Sequence, residues 1–279
     1  MLTKLEGHYS FDFDCLDDML RYCQDNNPTG KWIDGPSSRR RATDFHKLPG
    51  GGKSSWKDTV NSGSNGWPEG RERFNGKVME AAARCTSHSK RQALTVEQAG
   101  FMPLVPLYAS GAPAYMLNFG EGSQQADTIV RLQVDLCAAA GHPSERIINW
   151  GSALCVLIDS LENSGKSVEV AGVMAVETVN GGKVQTVTAN TVIKPAGQSL
   201  DIDRMAFALA HPCYLRRLFF ALVESVPETH TGYSSGYGAC RKPTPKHGVK
   251  TISGVNANRD AADCLDTAIE RVERIYNGD

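Results

Sequence analysis

The sequence predicts an α/β protein: a three-layer, mostly parallel sheet with an antiparallel hairpin at one edge, preceded by a loop-rich α+β N-terminal region. Three observations carry that expectation. Thr128–Leu136, TIVRLQVDL, sets β-branched and apolar residues at short spacing, which suits a strand buried in a sheet. Leu154, Leu157, Ile158 and Leu161 then fall at helical spacing with Asp159 and Glu162 on the other side, and Gly165 closes that helix. Ser167–Val176 alternates through Val168, Val170 and Val173 as a second strand. A strand, a helix and a strand within roughly fifty residues form a βαβ crossover unit. Asn180-Gly181-Gly182 follows and joins this strand to Val184–Lys194 as a hairpin, because glycines supply the positive φ that tight hairpin turns use.

The rest of the chain arranges itself around this unit. HYSFDFD at His8–Asp14 reads as an edge strand, and Cys15–Gln24 as a short helix with Leu16, Met19, Leu20 and Cys23 on one side. Lys31–Trp67 is rich in Gly, Ser, Lys and Arg with weak periodicity, so it is loop-dominated, with a short helix around Trp56–Val60. Trp32, Phe45, Trp56 and Trp67 are spaced along it as anchors to a surface. Arg71–Arg84 reads as a helix. Phe101–Tyr115 is apolar but carries Pro103, Pro106 and Pro113, which predicts an extended segment crossing the core. A boundary near Gly120–Gly122 divides the chain into regions 1–121 and 122–279. Asp201–Ser225 reads as a helical stretch split at Pro212, Val249–Val255 as a last short strand, and Asp260–Tyr276 as a closing amphipathic helix.

Composition bounds the function. A hydrophobic share of 41% with 22% charged residues belongs to an ordinary globular chain that buries a sizeable core over its 279 residues. The formal net charge of −1 exerts no global pull on nucleic acid, so any such surface must be local. Apolar runs fall short of the roughly 20 residues a membrane helix needs. The N-terminus lacks the basic and apolar regions of a signal peptide, so no export is expected. The 8 cysteines are accordingly read as reduced thiols, mostly buried.

Candidate chemistry is sparse. Gly50-Gly51-Gly52-Lys53-Ser54-Ser55 lacks the spacing and the strand–loop–helix context of a phosphate loop. His211, Cys213, Cys240 and His247 do not show the paired spacing of a structural zinc site. No cysteine or serine stands out as a nucleophile, so the chain leans away from being an enzyme, and no cofactor is expected. The best lead is a basic stretch interleaved with aromatic rings. Lys31, Trp32, Arg39, Arg40, Arg41, Phe45, Lys53, Trp56 and Lys57 combine phosphate-neutralising cations with stacking surfaces, the means by which single strands are held without sequence preference. A second basic run includes Arg241, Lys242, Lys246 and Lys250. The expected contacts are Arg39, Arg40, Arg41, Lys53, Trp56, Lys57, Arg241 and Lys242, set against the plainer reading of solvated loops whose tryptophans dock on the core.

The strand–helix–strand–hairpin order resembles a von Willebrand factor A-like domain. Metal-binding members carry Asp-x-Ser-x-Ser after the first strand; the matching positions here are Asp135, Cys137 and Ala139, so that metal site is not expected. The remaining metal candidates, Asp135, His211 and Cys213, form no complete ligand set. FDFDCLDDML, SSWKDTVNSGSNGWPEGR, PLYASGAPAYML, WGSALCVLIDSLENSGKSVEV and MAFALAHPCYLRRLFFALVES are similar to an uncharacterised family of tailed-phage and prophage proteins. That resemblance implies a phage origin and a fold, not a reaction. With the basic, aromatic-interleaved stretch, the expectation is a non-catalytic phage protein binding single-stranded DNA or RNA in replication or transcription, in the cytoplasm of the infected host or in the virion. The alternatives are an assembly protein that contacts other phage proteins or itself, and a metal-dependent or enzymatic module.

Overall fold

In a computed structural model of the chain, the described residues are 2–5, 7–26, 56–84, 94–98, 102–119, 129–139, 142–180, 183–211, 213–226 and 239–278. The central crossover unit forms as read, from β6 (Ile129–Asp135) through α5 (Ser144–Asn163) to β7 (Ser167–Asn180). Gly165 follows α5 with φ 85°, a left-handed turn that a side chain would strain. β8 (Lys183–Lys194) returns antiparallel to β7 across a two-residue connection, with Asn180 opposite Lys183.

The sheet is mixed rather than mostly parallel. Its order is β1-β2-β8-β7-β6-β10, where β1 is Leu2–Leu5, β2 is His8–Phe13 and β10 is Lys250–Ile252; β9 (Ala239–Cys240) pairs beside β7. The pairs β6–β7, β6–β10 and β2–β8 are parallel, whereas β1–β2, β7–β8 and β7–β9 are antiparallel. Two expectations are corrected here. The hairpin strand β8 is not at an edge, because β2 pairs along its outer side. Nor is β2 an edge strand, since β1 covers its other side. Alternation with one buried face looks the same in an edge strand as in an interior one.

One face of the sheet is apolar and the other polar. Tyr9, Phe11, Phe13, Val187, Ala189, Val168, Val170, Leu132, Val134 and Ile252 are buried on the first. Helices cover it: α1 (Leu16–Asn26) over β2 and β8, α6 (Ile202–Ala210) over β8, α5 over β7 and α9 (Leu265–Asn277) over β10. α3 (Pro68–Arg84) packs on α5, α6 and α9, and α2 (Trp56–Asn65) on α1 and α6. Because helices press on α5 from several sides, it is buried almost all round from Ile148 to Ile158, well beyond one stripe. Lys194, also buried, donates to the Val168 carbonyl at 2.9 Å and pairs with Glu162, tying the end of β8 to α5. The opposite face presents Ser10, Asp12, Thr186, Thr188 and Asn190, with Asp12 accepting from Asn190 at 3.3 Å.

Two further readings change. Phe101–Tyr115 does not cross the core: Met102–Pro103 (β4) pairs with β5 (Met116–Phe119), which also pairs with β3 (Leu94–Glu97), and between β4 and β5 lies a short helix α4 (Val105–Ala109). Pro106 falls in the first turn of α4, where the missing N–H costs nothing. The closing helix is two pieces, α8 (Arg259–Ala262) and α9, separated by an extended Cys264. The stretch 202–225 divides as expected, into α6, a π-helical turn Tyr214–Phe219 and α7 (Phe220–Ser225).

The N-terminal strands are therefore part of the main sheet. Phe11 is fully buried, stacked beside Phe13 and edge-on to Tyr22 of α1. Phe11→Ala should cost about 3–5 kcal/mol, the range for emptying a buried aromatic site, read as a lowered midpoint in denaturant unfolding; a loss below about 1 kcal/mol would mean that β2 does not carry the core.

Candidate functional site

β6 and β10 are parallel neighbours, and the chain leaves β6 toward β7 on the opposite side. Strand order thus reverses between β6 and β10, and in open α/β sheets ligands bind outside the carboxyl ends of strands at such a point. A cavity of about 670 Å³ opens there, lined by Asp135 at the end of β6, Thr251 and Ser253 at β10, Asn256 and Asn258 beyond it, Arg271 and Ile275 of α9, Cys240 at the end of β9, and Arg241 and Lys242 after it. That volume lies within the range of small-molecule sites.

The two strand ends are held in register by side chains. Asn256 accepts from the Ala139 N–H at 2.9 Å and donates to the Cys137 carbonyl at 3.0 Å, joining the loop after β10 to the loop after β6. The same amide oxygen meets His142 Nε2 at 2.7 Å, while Arg146 donates to His142 Nδ1 at 3.2 Å. Since that oxygen accepts, the network fits the tautomer with the proton on Nε2. Burial lowers the His142 pKa, which keeps the ring neutral. Asn258, itself buried, donates to Ser253 Oγ at 3.0 Å and to the Gly254 carbonyl at 2.9 Å, and accepts from Arg271 Nε at 3.0 Å. The Arg271 guanidinium is so fixed on the cavity wall.

Asp135 is the half-buried acid of the site. Its carboxylate accepts from the Cys137 N–H at 3.0 Å and from the backbone of Gly254. Burial pushes its pKa up from 3.8 to about 6, outweighing those donors. Gly254 permits this approach: a Cβ there would stand 2.5 Å from the Asp135 carbonyl oxygen and 3.0 Å from its carboxylate.

From β9 a strap, residues 241–249, runs over the polar face of the sheet. The Arg241 N–H bonds the Ala175 carbonyl at 2.8 Å and its guanidinium pairs with Glu177; farther along, Lys246 bonds Asp12 at 2.7 Å. Pro243 is buried beneath it.

A family model for a domain of unknown function, DUF7192, matches residues 3–277. The chain belongs to the DUF7192 family. No curated protein and no solved structure matches it. The DUF7192 match runs from β1 to α9, so both the sheet and the cavity lie inside it.

Against the expected contacts, the structure brings Arg241 and Lys242 together on the cavity wall. Arg39, Arg40, Arg41 and Lys53 lie outside the described residues, as does the Gly50–Ser55 stretch. Trp56 and Lys57 begin α2; Trp56 packs against the core, Lys57 is exposed, and no lining residue comes from α2. Arg217 is buried at 6% exposure. Asp135, His211 and Cys213 are not one cluster. His211 is buried edge-on to Trp67 at 4.8 Å and its Nδ1 accepts from the Cys213 N–H at 3.1 Å, with burial lowering its pKa to about 4. Among the described residues no group of three His, Cys, Asp or Glu is placed to hold a metal, and no helix is long and apolar enough to cross a membrane. Arg271, Asn256 and Asn258 went unread; the only trace is the Gly-Val-Asn-Ala-Asn spacing after β10, an ordinary turn composition.

The Asp135 carboxyl makes stability depend on pH. Its folded pKa is raised above the unfolded value, so its contribution is full below about pH 4, where both states are protonated, and is lost as pH rises through about 6. Relative to Asp135→Asn, the wild type should lose roughly 3 kcal/mol between those limits. Denaturant unfolding of both proteins at about pH 4 and pH 7.5 reads this difference; parallel pH profiles would place the carboxyl in water.

Proposed function

We propose that the chain is a non-catalytic binding protein that associates with single-stranded nucleic acid, and that Arg241, Lys242 and Arg271 hold its phosphates at the cavity outside β6 and β10. The observation that carries this reading is the convergence of three cations from two separate parts of the chain on one concave site. Arg271 is held by Asn258 and Arg241 by Glu177, so two of the three are positioned in advance, which lowers the ordering cost of binding. Lys242 is exposed beside them and suits a phosphate as a point charge. In this reading Arg39, Arg40, Arg41, Lys53, Trp56 and Lys57 extend the contact beyond the cavity.

We further read β6, α5, β7 and β8, with β10 on the other side of β6, as a degenerate von Willebrand factor A-like arrangement. Cys137 and Ala139 stand where its metal-binding members carry hydroxyl ligands, which supports a use of the site that needs no hard cation. The phage setting is the one the sequence resemblance implies, and replication or transcription is where a single-strand binder would act in it. A second reading, an assembly protein that docks on another protein or on itself, draws on the exposed Val105 (66%) and Tyr108 (64%) of α4 together with Val96 of β3.

Fluorescence anisotropy with labelled single-stranded DNA, single-stranded RNA and duplex, at low and moderate salt, separates the two. Binding to a single strand should weaken steeply with salt, and the Arg241→Ala/Lys242→Ala double variant should flatten the log–log salt slope by roughly 1.4, about 0.7 per lost phosphate contact. An unaltered slope in that variant removes the cavity from the interface. No binding at low salt, with a stable oligomer in light scattering, favours the assembly reading instead.

A further inference from the structure

Two thiols from distant parts of the chain meet at the edge of this cavity. Cys137 lies just after β6 and is buried at 1% exposure, whereas Cys240 lies in β9, is half-buried and lines the cavity. β7 is the template that brings them together. Cys137 Sγ sits 3.4 Å from both the N–H and the carbonyl oxygen of Ala175, and the next residue, Val176, is the cross-strand partner of Cys240. The side chains of Cys137 and Cys240 are hydrogen-bonded to each other, and the Cys137 thiol also reaches the Asp135 carboxylate. Both cysteines thus lie along the same edge of β7, one after the other, with their thiols in hydrogen-bond contact, and a disulfide needs its two thiols brought side by side in this way. Both cysteines are thiols in this structure.

We propose that Cys137 and Cys240 form a reversible redox pair, oxidised to a disulfide by a low-molecular-weight disulfide that enters through the cavity. Cys240, the accessible member, attacks one sulfur of the oxidant as its thiolate and releases the first thiolate of the reagent, leaving a mixed disulfide on Cys240. Cys137 then passes its proton to the Asp135 carboxylate as its sulfur attacks Cys240 Sγ, and the second thiolate leaves. Two protein thiols and one small disulfide become one protein disulfide and two small thiols. The order follows from placement: the hydrogen bond to Cys240, with burial, raises the Cys137 thiol well above its ordinary range, so it is the resolving and not the attacking group.

The bond would tie the end of β6 to the strap that begins at Cys240. Arg241 and Lys242 are the next two residues, so oxidation fixes the strap at the mouth of the cavity. The pairing also closes a long loop, which constrains the unfolded chain.

The test is peptide mapping by mass spectrometry of the full chain after incubation with oxidised glutathione, without and with subsequent dithiothreitol. The expected product is a Cys137–Cys240 crosslinked peptide that dithiothreitol removes, with a melting temperature raised by roughly 5–10 °C in the oxidised protein. Cys137→Ser should stop at the mixed disulfide on Cys240, and Cys240→Ser should give neither product. In wild type, folded by circular dichroism, a glutathione adduct that persists on Cys240 without crosslinking, or oxidation confined to other cysteines, overturns the proposal.

Discussion

The architecture rests on the need of one fourteen-residue strand, β7, to satisfy its backbone on both sides. Buried N–H and carbonyl groups must find partners. β8 provides them along one edge of β7 from Val170 to Asn180, while on the other edge β6 covers only Ser167–Val173. Beyond Val173 the strand stays buried through Met174, Ala175 and Val176, so its remaining groups must be met by something else. The Leu136 N–H meets the Val173 carbonyl, the Cys137 thiol meets both polar groups of Ala175, and β9 supplies Cys240 and the Arg241 N–H. The loop after β6 and the strap after β9 are thus drawn to one point by the hydrogen-bonding demand of β7, and the cavity is the space left between them.

That space has a half-buried acid at its floor because β10 comes so close. Gly254 has no Cβ to hold the strands apart, so Asp135 is partly buried, with its carboxylate on the backbone donors of Cys137 and Gly254. The arginines of the cavity have partners other than Asp135: Arg271 the Asn258 amide and Arg241 the Glu177 carboxylate. Desolvation without a salt-bridge partner is what raises a carboxyl pKa. Below about pH 6 the acid gives up its charge, which removes one negative group from beside the cationic wall.

Much of the fold was legible because its signals are local. The β6–α5–β7 crossover, Gly165 after the helix and the two-residue hairpin each depend on neighbours within a few positions, and all three stand as read. What could not be read depends on partners far away. Tyr9, Phe11 and Phe13 alternate as they would in an edge strand, and only the pairing of β2 with β8, well over half the chain away, together with β1 on its other side, makes the strand interior. The helix α4 hides because Pro106 breaks a helix in most positions and starts one in the first turn. At the site, Arg241 and Lys242 were visible as a basic pair in a loop. Arg271 was not, since an arginine on the polar side of an amphipathic helix looks like any solvated charge until Asn258 is seen to hold it.

The polar face of the sheet gives the strap its character. A helix laid there would have to bury an apolar stripe against Ser10, Thr186, Thr188 and Asn190, leaving hydroxyls and amides without water. An irregular segment can instead answer each group with one of its own: Arg241 with Glu177, Lys246 with Asp12, and Pro243 buried without an N–H to satisfy. These ties are ion pairs at half-exposed positions, each worth at most about 1 kcal/mol. A segment held by such weak ties can shift at small cost while the sheet beneath it stays fixed.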